Sequence, residues 1–154
     1  MQDPKEVDDQ FRALLEGLRT TIPGVIVLFA FLLSLPLQSL FAEMSLAQLA
    51  AYYIAFASCS IALILLIAPS VHQRVRAPIS GIRRNEISHV MTAAWLAIVG
   101  TFTFVLTISA VVYLVTSLVM GSVWAVLATV VATLLSLATW AYVPLRRFEK
   151  GEDT

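Results

Sequence analysis

Along this chain the polar residues gather in a few short stretches, and between them the apolar residues run almost unbroken. Four runs are long enough to cross a bilayer as helices: about 23–41, 46–68, 90–119 and 123–143. A hydrocarbon core of about 30 Å needs about 20 helical residues, each rising about 1.5 Å. The third run exceeds that, so its first turns protrude or the helix tilts. Residues that end helices separate the runs. Pro69 closes the second, Met120-Gly121-Ser122 turns the third into the fourth, and Pro144 stops the fourth. The link from Ala42 to Ser45 is short enough to force an antiparallel hairpin. Pro36 lies inside the first run and removes a donor from the carbonyl of Leu32, which predicts a kink.

A different pattern precedes the first run. Val7, Phe11, Leu14, Leu15, Leu18 and Ile22 recur at helical spacing on one face, with Asp8, Asp9, Arg12, Glu16 and Arg19 opposite. Asp3 can cap this segment, Pro4 suits its first turn, and Glu6 completes a capping box. The pattern predicts an amphipathic surface helix over 1–22. Anionic lipid disfavours so acidic a face, so the stripe is expected to dock on the protein's own cytoplasmic side. The acidic start also argues against a cleaved signal, so the first run is read as a retained span.

Composition agrees with lipid as the solvent. Of 154 residues, 59% are hydrophobic and 13% charged, against about 45–50% and about 25% in soluble domains. Ten basic and ten acidic residues cancel, which gives no reason to expect nucleic acid as a partner. The single cysteine, Cys59, sits in an apolar run and reads as a packing residue.

Basic residues set the topology. Lys5, Arg12 and Arg19 precede the first span, Arg74, Arg76, Arg83 and Arg84 occupy a polar loop at 69–89, and Arg146, Arg147 and Lys150 lie in the tail at 144–154. Four alternating spans put all of them on one side and leave Glu43 as the only charge on the other. Both termini are therefore expected in the cytoplasm. Tyr52 and Trp124 fall near the outer interface, and Trp95, Trp140 and Tyr142 near the inner one.

In lipid, helices associate through close packing of small residues. The second span repeats Ala47, Ala51, Ala55, Ser58 and Ala62. The third offers Ala93, Ala97, Gly100, Thr103, Thr107 and Ala110, and the fourth Ala125, Ala128, Ala132, Ser136 and Thr139. The expected fold is all-α: an integral membrane four-helix antiparallel bundle with those faces inward, preceded by the surface helix. The hydroxyl rows read first as interhelical hydrogen bonding and second as a polar path.

No Asp, Glu, Lys, Arg or His lies well inside any span, although proton-coupled carriers ordinarily place one there. Glu43, with Gln38 and Gln48, is the candidate outer vestibule, against the plainer reading of a solvated loop charge. His72, Arg74, Arg76, Arg83 and Arg84 are candidates for contacting a lipid phosphate or a partner's acidic patch, although the positive-inside bias alone accounts for the arginines. Glu86 and His89 could pair at the start of the third helix. No zinc spacing, phosphate loop or nucleophile motif appears, so no cofactor, metal or catalytic residue is expected and the chain is not read as an enzyme.

The segment EGLRTTIPGVIVLFAFLLSLPLQSLFAEMS, followed by IALILLIAPSVHQRV, resembles an uncharacterised bacterial family of small four-helix membrane proteins, whose members often carry the label sodium:proton antiporter. The matching positions are Glu16, Arg19, Pro23, Gly24, Leu28, Phe29, Phe31, Pro36 and Phe41, then Ala68, Pro69, His72 and Arg74. They cover about half of the chain; the rest agrees only in hydropathy. The resemblance implies a bacterial inner-membrane protein and supplies no catalytic residue. The functional expectation is a polytopic protein that works by self-assembly or as an accessory subunit of a membrane complex, with lipid around it. The alternative is a small oligomeric ion transporter or channel of sodium/proton type, its path between protomers.

Overall fold

The computed structural model describes the backbone of residues 4–79 and 87–142, and the side chains of 13, 15–71 and 91–140. Every regular element among the described residues is helical, and none is a strand. Four helices account for nearly all of it: α1 (Pro4–Ser34), α2 (Leu46–Ile79), α3 (Ile87–Met120) and α4 (Ser122–Leu137). Four helical stretches are long and apolar enough to cross a membrane: Leu15–Leu37, which runs from α1 into the turn after it, Leu46–Val71 in α2, Met91–Met120 in α3, and Ser122–Trp140, which runs from α4 into the turn that follows.

The helices are longer than the apolar runs alone suggest. The expected surface helix and first span form one element, because α1 continues through Pro23. The same buried stripe runs along both parts, with Leu18, Val25 and Leu32 buried at seven-residue steps. One continuous helix keeps that stripe on one face, while Pro23 stands exposed on another. Likewise α2 does not stop at Pro69 but runs to Ile79, so the expected loop at 69–89 is shorter by more than a helical turn at this end. Pro69 is fully buried, and proline is tolerated within membrane helices where neighbouring groups satisfy the freed carbonyl.

Pro36 acts in the opposite sense. It ends α1 rather than kinking a span to Phe41: the α-helix stops at Ser34, and Leu35–Leu37 tightens into a 3-10 turn. Gln38 is then extended (φ −91°, ψ 142°), and a second 3-10 turn covers Ser39–Glu43. Short bonds of the 3-10 type hold this elbow, Gln38 N–H to Leu35 O at 3.1 Å and Phe41 N–H to Gln38 O at 3.0 Å. The reversal between α1 and α2 is therefore a structured segment rather than the four residues from Ala42 to Ser45.

Between α3 and α4 the chain reverses at Gly121 alone. Its φ of 87° and ψ of 171° belong to a region that essentially only glycine occupies. At its far end α4 widens into a π-helical turn, Ala138–Tyr142.

The chain divides into two compact units, Met1–Leu33 with Cys59–Phe104, and Ser34–Ser58 with Val105–Thr154. In the first, Leu18, Val25 and Leu32 of α1 form the core with Cys59, Ala62 and Leu66 of α2 and Ala93 and Ala97 of α3. The missing side chain of Gly100 permits the tightest approach there. A Cβ at that position would stand 3.0 Å from Leu66 Cγ and Cδ2 and 3.2 Å from Leu65 Cβ. In the second, Leu35, Ala51, Tyr52, Ala55, Val105, Ala110, Leu114 and Ala125 are buried. Most of the small residues that the sequence places inward are buried, but Ala47 and Thr139 are exposed and Thr103, Ala128, Ala132 and Ser136 only half-buried.

Candidate functional site

The buried polar side chains among the described residues are two hydroxyls, Ser58 and Thr107, which join helices to each other. Ser58 is 4% exposed and Thr107 is fully buried. Their oxygens lie 2.9 Å apart, joining α2 to α3 within the second unit. Ser58 Oγ also lies 2.7 Å from the carbonyl oxygen of Ile54 and 3.2 Å from that of Ala55. One step away, Ser109 Oγ and Thr133 Oγ1 approach to 2.7 Å and tie α3 to α4. Each of these two also reaches a carbonyl one turn back, Val105 O and Thr129 O, at 2.8 and 2.7 Å.

Three further hydroxyls, on α4 and the turn after it, bond one turn back within their own helix. Thr129, Ser136 and Thr139 donate to the carbonyls of Ala125, Ala132 and Leu135. A hydroxyl donating one turn back meets its need for a partner without water. Every buried side-chain nitrogen or oxygen among the described residues has a hydrogen-bond partner. The hydrogen bonds of the row run between helices and within them.

The three candidate vestibule residues have separate local roles. Gln38 is the exposed, extended residue of the elbow, and Glu43 is exposed at the end of the second 3-10 turn. Gln48 belongs to a capping box. Its Oε1 accepts from the backbone N–H of Ser45 at 2.9 Å and from Ser45 Oγ at 3.1 Å, while Ser45 Oγ faces the Gln48 N–H at 3.4 Å. This reciprocal arrangement satisfies two donors at the start of α2. The motif Ser45-Leu46-Ala47-Gln48 is a Ser-x-x-Gln signature readable in the sequence, and the vestibule reading passed over it.

Beside the elbow, Tyr52 is buried rather than facing the interface. Its ring meets Phe41 edge-on at 5.0 Å and packs near Tyr53 and Phe56 at 5.4 and 6.1 Å. Tyr53, the neighbour one residue on, is exposed instead. Trp95, Trp124 and Trp140 are all exposed.

Cys59 is buried, with Sγ 3.9 Å from the carbonyl oxygen of Val25. Among the described residues no group of three or more His, Cys, Asp or Glu could hold a metal ion. Of the candidate basic contacts, His72, Arg74 and Arg76 lie on the last turns of α2, and their side chains fall outside the described residues, as do Arg83 and Arg84 entirely. The expected Glu86–His89 pair, Tyr142's side chain and the tail from Pro144 also fall outside them.

A family model matches residues 2–144, almost the whole chain. The chain belongs to a family of unknown function, DUF6328. That membership extends beyond the first-half segments that carry the sequence resemblance and takes in α3 and α4 as well. No curated protein and no solved structure matches the chain.

Proposed function

We propose that this member of DUF6328 is a multi-pass membrane protein that acts by assembly, with further copies of itself or as the accessory subunit of a membrane complex. The observation that carries the reading is the state of the interior: each buried side-chain nitrogen or oxygen among the described residues has a hydrogen-bond partner. Hydroxyls that could line a path instead hold α2 to α3 and α3 to α4. What remains to act faces outward. In the apolar 18-residue stretch of α4 only 6% of residues are buried, against 33% in that of α2, and the outer surface of α4 is formed by Val123, Val126, Leu127, Val130, Val131 and Leu134.

The four spans pack as an antiparallel bundle in the bacterial inner membrane, with both termini cytoplasmic. The segregation of lysine and arginine supports this orientation, since four crossings leave no basic residue on the outer side. Outward contact in lipid favours small residues that let backbones approach. Gly17 and Gly24 meet this need on α1, because both are exposed and a Cβ on either would touch nothing within 4 Å.

The test is the mass of the particle in lipid nanodiscs or mild detergent. The expected result is a defined oligomer, or a complex with a co-purifying chain, that loosens when Gly17 and Gly24 are both changed to leucine while helicity is unchanged. A lone monomer across all protein concentrations, with no bound partner, would overturn the proposal.

A further inference from the structure

We draw no further inference here: the strongest candidate, the broad apolar face that α4 turns outward from Val123 to Leu135, is one for which nothing in the structure shows what covers it.

Discussion

Ser58 and Thr107, which stand far apart in sequence, face each other 2.9 Å apart in a buried contact between α2 and α3. Each hydroxyl has one hydrogen to give, so the pair forms a single bond, and Ser58 has nearby carbonyls as alternative partners. Hydrogen bonds between membrane helices average about 0.6 kcal/mol and reach about 1.7 kcal/mol, because the separated helices also find partners. A double-mutant cycle with Ser58→Ala and Thr107→Ala, read by denaturation in mixed micelles, should therefore give a coupling of about 1 kcal/mol. Strict additivity would mean that the two hydroxyls do not meet in the membrane.

Two glycines should respond oppositely to the same substitution. Gly100→Ala places a methyl group 3.0 Å from Leu66, which is fully buried and has little room to retreat. Overpacking of this kind costs about 1–3 kcal/mol and outweighs the gain in helix propensity of about 1 kcal/mol. Within a single protomer Gly17→Ala meets nothing within 4 Å, so there only the propensity gain remains and the stability of the dissociated chain should rise by up to about 1 kcal/mol. Thermal unfolding in detergent would compare them, and equal shifts would contradict the close approach at Gly100.

The sequence made some of this legible and concealed the rest. The four spans are readable because hydrocarbon demands length and apolarity of each one independently. Small inward residues such as Ala55, Ala62 and Ala97 are readable because their spacing keeps one face. The effects of proline were harder. Pro23 and Pro69 stay inside helices while Pro36 ends one, and the difference depends on packing and on partners for the freed carbonyls, which no local pattern encodes. Hydroxyl pairing is similar: Ser109 and Thr133 are visible as polar residues, but their partnership depends on the register of two helices.

At Gly121 a side chain would be strained by the backbone itself, whatever the space around it. Gly121→Ala should cost about 1–3 kcal/mol, with no loss of helix content within α3 or α4. Denaturation monitored by circular dichroism would show the shift. An unchanged midpoint would mean that the reversal adopts another conformation.

Gln48 separates a capping role from a vestibule role. Gln48→Glu keeps an oxygen that can accept from Ser45 N–H, so stability should hold, whereas Gln48→Ala or Ser45→Ala should lose about 1 kcal/mol. The same outcome is expected with Glu43→Gln, whose side chain is exposed. A loss of sodium or proton flux in proteoliposomes on changing either Gln48→Glu or Glu43→Gln would instead favour the transporter alternative.

Orientation can be read by labelling. With Cys59→Ala as background, a cysteine at Lys5 and one at Lys150 should react with a membrane-impermeant maleimide only after the cytoplasmic face is opened. A cysteine at Glu43 should react in intact cells. Opposite accessibility of the two ends would rule out an even number of crossings.

The single-residue reversal at Gly121 also bears on how the chain enters the bilayer. Ser109 and Thr133 are equidistant from it along the chain, so a helical hairpin folded at that point brings them level without any search. With so short a tether the two hydroxyls stay within reach of each other from the moment the hairpin closes. Lengthening the tether would make that meeting a chance event, and the polar groups of α4 would then enter oil with only their own backbone for company.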